Sequence, residues 1–341
     1  MAKLMQYYLQ SLSVNGATIP REDVVESAYI EMLSFGGPLL ILKIRDVSAA
    51  VIDNGKIKKG AELVASLGDA AGRYSLFQET FYVVEAPREQ DTIKVTAIAT
   101  STQKLLIPAA QPRFFVAKQP SEIVRELAGG LMPYADSLSK VGTWHMNMGQ
   151  KPAVLLRQIA QDTGATAWVA RNTINFKLCS GLLNQSPAFT YEYNNPKAKF
   201  IITKIKNINA DHAYTAPREY RYMGYHETEG LKVVGDPALP IKMVSDQDLG
   251  AIQNKHVTLV PVLDVECSGN PGIQAGQVFS VTVHRPDNTN RINEAVPKNL
   301  VVERVTHFES RFAYISRMIL AVPFENGKST VNITSLLDLI I

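Results

Sequence analysis

The chain has 341 residues, with 35 basic against 32 acidic side chains, 46% apolar residues and 20% charged ones. That length predicts two or three domains at roughly 100–200 residues each. The apolar share excludes disorder as the main state, which needs low hydrophobicity and high net charge. The net charge of +3 is not gathered into one arm and makes no case for nucleic acid as the main partner. No run of about 18 uncharged apolar residues occurs, so no membrane-spanning helix is expected. Residues 1–20 lack the basic cap, apolar stretch and cleavage site of a signal peptide. Cys179 and Cys267 are too few for a disulfide framework or a zinc ligand set. They are read as reduced packing residues of a chain made in the cytosol.

Residues 6–14 predict a strand, closed by the Asn15-Gly16 turn. Residues 24–33 mix β-branched and aromatic types, and Gly36-Gly37-Pro38 break the chain before a short apolar strand at 39–45. After the Asp53-Asn54-Gly55 turn, strands are expected at 61–67, 74–85 and 92–100. Short strands separated by Gly and Asn turns favour a barrel or sandwich over a parallel sheet. Near residue 115 the period changes. Ser121 is a candidate N-cap for a helix whose face is Ile123, Val124, Leu127, Ala128 and Leu131, ended by Gly129-Gly130 and Pro133. A second helix is expected over 152–163, with Pro152 in its first turn and Val154, Leu155, Ile159 and Ala160 buried. Gly164 fits its C′ position. Strands 166–170 and 173–178 follow across an Arg171-Asn172 turn, making a small α/β unit. The β signal returns at Tyr191 and runs through 200–208, then 257–267, 278–284, 300–307 and 312–322. Residues 209–256 show no clear period and read as an irregular, contact-making insertion.

Two segments look alike. Ile57 to Gly60, a strand, Phe81-Tyr82-Val83-Val84-Glu85 and residues 93–99 match Ile273 to Gly276, a strand, Asn299-Leu300-Val301-Val302-Glu303 and residues 314–321. The offset is 216 at the glycines and 218 at the paired valines, consistent with internal duplication and one loop insertion. Three such chains would present six similar units, a quasi-six-fold ring from a three-fold oligomer.

No nucleotide-loop, zinc-helix, nucleophile-elbow or calcium-loop motif occurs. Glu85 and Glu303 could serve as an acid and base for sugar cleavage. Their matching places in the repeat favour solvated strand positions. His284-Arg285 and His307 read as surface or packing groups at strand ends, since no second ligand lies at usable spacing. Lys197, Lys199, Lys204 and Lys206 form a basic strand edge, and Tyr214, Tyr220, Tyr222 and Tyr225 form a packing or interface cluster. No catalytic, cofactor-binding or metal-binding residue is expected.

The run Cys267 to Gly276 (Cys-Ser-Gly-Asn-Pro-Gly-Ile-Gln-Ala-Gly), followed by a strand and by Val301-Val302-Glu303-Arg304-Val305-Thr306-His307, resembles the C-terminal barrel of contractile-tail baseplate hub proteins. These include phage late-control hubs and the hub portion of type VI secretion spike proteins. Residues 118–124 and 150–164 resemble the two middle helices of that family, Trp168 to Phe176 its hairpin, and Ile30-Glu31 and Ile44-Arg45-Asp46 its first barrel. The resemblance implies a mainly β protein with a small α/β part: a first tube-type β-barrel over 1–112, a middle α/β domain over 113–190 and a second tube-type barrel over 191–341. It implies a non-enzymatic homotrimer that adapts a six-fold tail tube to a three-fold spike around an open channel. The implied partners are the tail tube protein or a distal tube ring, a separate central spike, the tape-measure protein and surrounding baseplate proteins, with DNA only in transit. The implied place is the tail baseplate of a virion, assembled in the host cytoplasm. The alternative is a tail-associated peptidoglycan hydrolase or wall-binding module. The apolar tail at 326–341 is expected to be a docking element, on its own second barrel or on a neighbour.

Overall fold

Burial with a period of two makes this chain a sheet protein. In the strand Leu39–Arg45, Leu40, Leu42 and Ile44 are fully buried while Leu39, Ile41 and Lys43 stand half exposed. The computed structural model describes residues 7–47, 57–71, 73–74, 76–138, 141–208, 220–226, 228–244, 249–255, 257–285, 288–293, 296–325 and 328–329. The early strands are β1 (Leu9–Val14), β2 (Ala17–Ile19), β3 (Val24–Met32), β4 (Leu39–Arg45), β5 (Glu62–Gly68), β6 (Leu76–Glu85), β7 (Arg88–Glu89) and β8 (Thr92–Ala99). The middle holds α1 (Thr100–Leu105), β9 (Arg113–Lys118), α2 (Pro120–Leu127), β10 (Met132–Ala135), β11 (Gly142–Met146), α3 (Pro152–Asp162), β12 (Ala165–Ala170), β13 (Thr173–Leu178) and α4 (Cys179–Leu182). Next come β14 (Phe189–Tyr193), β15 (Ile202–Asn207), β16 (Arg221–His226), β17 (Gly230–Val234), β18 (Ile241–Met243) and α5 (Leu249–Asn254). The last strands are β19 (Thr258–Ser268), β20 (Val278–Arg285), β21 (Asn288–Ile292), β22 (Asn299–Ser310), β23 (Tyr314–Glu325) and β24 (Lys328–Ser329).

The early and late strands share one sheet, ordered β15-β19-β23-β22-β3-β4-β8-β6-β5-β1-β2. The two ends of the chain meet where β22 pairs antiparallel with β3, from Arg304↔Met32 to Ser310↔Glu26. On either side of that seam the same arrangement occurs twice. The antiparallel run β3-β4-β8-β6-β5 repeats as β15-β19-β23-β22-β20. The pairs Tyr29↔Leu40, Leu40↔Ala97, Val83↔Ala97 and Leu63↔Phe81 correspond to Asn207↔Leu263, Leu263↔Leu320, Val302↔Leu320 and Phe279↔Leu300. The irregularities repeat as well: register shifts at Val24/Glu26 and Val83/Glu85 recur at Ile202/Lys204 and Val302/Arg304.

The turn glycines occupy matching places. Gly60 has φ +88° and donates its N–H to the Val83 carbonyl at 2.9 Å; Gly276 has φ +85° and donates to the Val302 carbonyl at 2.8 Å. The return bonds also match, Val83 N–H to Ala61 at 3.0 Å and Val302 N–H to Gln277 at 2.9 Å. Val83 therefore equals Val302, an offset of 219 in place of the 218 read from the valine pair. With that shift Glu85 matches Arg304, and Glu303 matches Val84, so the two glutamates do not hold equivalent places. The sixth strands differ outright: β1 runs antiparallel to β5, whereas β14 runs parallel to β20. A bridge between Glu192 and Ile201 sets β14 beside the chain entering β15.

Each strand set encloses its own apolar cluster, one around Leu40, Leu63 and Phe81 and the other around Val265, Phe279 and Leu320. The middle segment has a third, built on Ile123, Leu155, Ile159 and Phe176. Two expectations are corrected there, and a third in the insertion. The N-cap of α2 is Gln119, because its side chain and that of Glu122 form a reciprocal capping box and leave Ser121 inside the first turn. On α3, Val154 is 38% exposed, and Ala153 and Leu156 join Leu155, Ile159 and Ala160 on the buried face. The described part of 209–256 is ordered: β17-β16-β18 form a three-stranded sheet, with α5 against it. Of the tail at 326–341, only the backbone of β24 lies within the described residues.

Candidate functional site: a buried charged junction

The residues that tie the three parts together start from one hairpin turn. Arg171 and Asn172 connect β12 to β13 with φ of 48° and 60°. A two-residue turn of this hand asks for positive φ at both positions, normally met by Asn and Gly. Here it aims an arginine out of the middle segment. Arg171 Nε donates to Glu31 Oε1 of β3 at 2.8 Å, and Nη2 donates to the carbonyls of Pro271 and Ile273 at 3.3 and 3.1 Å. The guanidinium lies 4.8 Å from the Phe77 ring centre. Asn172 Nδ2 donates to the Gln78 carbonyl at 3.2 Å. Glu31 is fully buried, and its second oxygen accepts the Ala275 N–H at 3.0 Å. One ion pair thus touches the first strand set, the middle hairpin and the loop entering β20. Deleting one partner of such a buried pair strands the other charge, at a cost of about 3–5 kcal/mol.

Aromatic rings pack beside this pair, across the β3–β22 seam. Tyr8 stacks on His307 at 4.2 Å between centroids, with Tyr29 and Tyr314 around them. His307 Nε2 donates to the Ile273 carbonyl at 3.1 Å, which leaves Nδ1 to accept from the Tyr314 hydroxyl at 2.9 Å. Burial, with Arg171 adding repulsion, pushes this imidazole down to about 3, so it is neutral at physiological pH. Glu309, also buried, accepts the N–H groups of Tyr8 and Leu9 at 2.7 and 3.0 Å and pairs with Arg21. Glu79 accepts from Tyr29 Oη at 3.0 Å. Burial pushes Glu79 up to about 8, against the pull of that hydrogen bond, so it is mostly protonated at neutral pH. Tyr8, Tyr29, Glu31, Glu79, His307 and Glu309 are buried here, and their contacts hold the parts together.

The other residues singled out from sequence are scattered. Glu85 is exposed and accepts from Thr96 Oγ1 at 3.1 Å. Glu303 lines a groove beside α3, to which Glu85 contributes nothing, and burial raises its carboxyl. His307 lies in the middle of β22, not at a strand end, while His284 meets Glu192 at 2.7 Å. Lys204 pairs with Glu266 at 2.8 Å on β15, the terminal strand of the sheet order. Tyr220 and Tyr222 pack with ring centres 6.2 Å apart, and Tyr214 lies outside the described residues. Both cysteines are buried thiols, and burial pushes Cys267 up to about 12. Among the described residues no cluster of three or more His, Cys, Asp or Glu could hold a metal ion. Sequence reasoning missed Arg171, although an arginine at the turn position where Asn is usual was the available signal.

No family model matches the chain, and no curated protein matches it in sequence. Solved structures do. A tail protein from Neisseria meningitidis MC58 superposes with a TM-score of 0.64 at 13% identity, covering 92% of this chain and 96% of that one. The 43 kDa tail protein of prophage MuSo2 from Shewanella oneidensis gives 0.62 at 11% identity, covering 92% and 98%. The E. coli c3393 protein, a component of the type VI secretion system, gives 0.54 at 12% identity, covering 94% and 79%. The fold is therefore that of phage and prophage tail proteins and of a type VI secretion component, a β-rich architecture with few helices.

Proposed function

We propose that this chain is a structural baseplate hub of a phage tail or tail-like particle. Three copies form a ring that adapts a six-fold tube to a three-fold spike and keeps a channel open. The observation that carries the proposal is the duplicated five-strand run, joined edge to edge through β3 and β22. Two like units in one chain turn a three-fold ring into six like positions. In this reading the units are tube-type barrels over 1–112 and 191–341, with a middle α/β domain over 113–190. The bridge between Glu192 and Ile201 supports closure of the second. Pairing between subunits would cover strands that otherwise offer open edges.

The buried junction fits a part that transmits force, because it welds both units to the middle hairpin. The partners follow from the position: tube protein or distal ring on one side, a spike and baseplate proteins on the other, the tape-measure protein and passing DNA within. The chain acts by shape and not by catalysis. Tagging it in assembled particles and imaging them tests the position. Label on the axis at the tube–spike boundary is expected; label at the periphery contradicts the proposal.

A further inference from the structure

The insertion sheet turns an apolar face outward. Its order is β17-β16-β18, and the pairs Tyr225↔Leu231, Met223↔Val233 and Met223↔Met243 put these side chains on one side, with Ile241 beside them. Tyr225, Leu231, Val233, Ile241 and Met243 are 39–62% exposed there. The opposite side lies toward α5: Gly224 is buried, and Tyr222 Oη donates to the Lys255 carbonyl, just past that helix, at 3.5 Å. The end of α5 is pinned to α3, where Asn254 Nδ2 donates to the Asp162 carbonyl at 2.8 Å and Lys255 Nζ donates to Asp162 Oδ1 at 2.9 Å. One layer of the sheet is therefore covered and anchored, and the other is open. An apolar face of this kind on a surface marks an interaction site.

Area, shape and charge favour a second copy of the same chain as its cover. The five side chains leave on the order of 500 Å² of apolar area open. Two such faces together remove about 1,000 Å² from water, the lower bound for a specific contact. Three strands span about 10 Å, and sheets pack face to face about 10 Å apart, so the face meets its own copy without a groove. Among the described residues, the strand positions on this side hold no Asp, Glu or Lys; Arg221, half-buried at the corner beside Ile241, is the one charged group. A two-fold contact must be self-complementary, and a face of one chemistry meets that condition. With the two β16 strands antiparallel about an axis at Met223, the Arg221 side chains lie at opposite ends. We propose that two copies pair isologously through this face, β16 over β16, in a weak contact that forms as concentration rises. The pairing does not rest on the ring reading: it takes one chain to two, or a ring of three to six.

Sedimentation of the full chain from about 1 µM to 1 mM tests this. The mass of the predominant species should double across that range. Leu231→Asp and Met243→Asp each bring a charge into the contact and should raise the concentration of half-doubling at least about tenfold. Phe114→Asp, at a 72% exposed apolar position of β9, should leave it unchanged. Met223→Cys should cross-link to its own copy with a short bismaleimide, since Cys179 and Cys267 are buried. Absence of doubling up to about 1 mM overturns the proposal, as does doubling that survives both aspartates; failure of Met223→Cys to cross-link overturns the two-fold axis. If the unaltered protein forms threes without sixes and Leu231→Asp breaks the threes, the face belongs to a head-to-tail contact and the two-fold assignment is wrong. Doubling from one chain to two with no species of three upholds this pairing and counts against the ring.

Discussion

At the scale of single residues, the junction concentrates groups that water would normally hold. Glu79 shows the consequence most clearly. Its carboxyl sits near about 8 in the fold against 4.5 for the free group, because burial opposes its charge. The unfolded chain therefore loses this proton between about pH 4.5 and 8 while the folded chain keeps it, and stability falls across that window as pH rises. The groups facing it are Tyr29, Glu31 and Arg171. Glu79→Gln keeps the acceptor for Tyr29 and removes the titration. Its stability to denaturant should exceed that of the unaltered protein at pH 8 by on the order of a few kcal/mol, and the gap should close at pH 4. Equal gaps at both pH values would show that Glu79 is ionised in the fold. None of this was legible beforehand. A glutamate in a strand looks the same whether its face meets water or a second strand set.

Elements were read better where local chemistry alone decides them. The strand at 39–45, the helix from Pro152 and the positive φ of Gly164, +67°, all follow from period and turn type. What was missed depends on partners far away in sequence. β9 and β11 form a separate two-stranded ribbon. β10 is a four-residue strand held parallel against β13. The insertion at 209–256 forms its sheet from strands of only three to six residues, too short to show a period. The repeat was visible through its glycines, yet matching the two Val-Val-Glu runs set the alignment one residue off, because Val83 takes the pairing place of Val302 and not of Val301.

The two glycines also differ in surroundings, which gives an element-level prediction. Both need left-handed backbone, so Gly60→Ala and Gly276→Ala each incur about 1–2 kcal/mol of backbone strain. A Cβ at Gly60 would meet Tyr82 Oη at an ordinary 3.7 Å, whereas one at Gly276 would meet Trp168 Cζ2 at 2.5 Å. Gly276→Ala should therefore destabilise by clearly more, about 3 kcal/mol or above, since the buried indole must move as well. Chemical denaturation of the two variants checks it; equal losses would mean that Trp168 yields without cost.

For the whole molecule, the organising fact is that one sheet runs through both copies of the repeated strand run and joins them at β3 and β22. Arg171 and Glu31 tie both like units to the middle hairpin, and in the proposed trimer copies would meet head to tail, a contact that gives a ring only where the rotation closes. The proposed trimer would bury standard or larger contacts, about 1,600 Å² or more each. The mass of the protein in solution, measured across a range of concentrations alone and with the proposed tube and spike partners, tests the central claim most directly. The account predicts a species of three times the 37.6 kDa chain mass, formed by the protein itself or on adding a partner. A monodisperse monomer at high concentration under both conditions would contradict it.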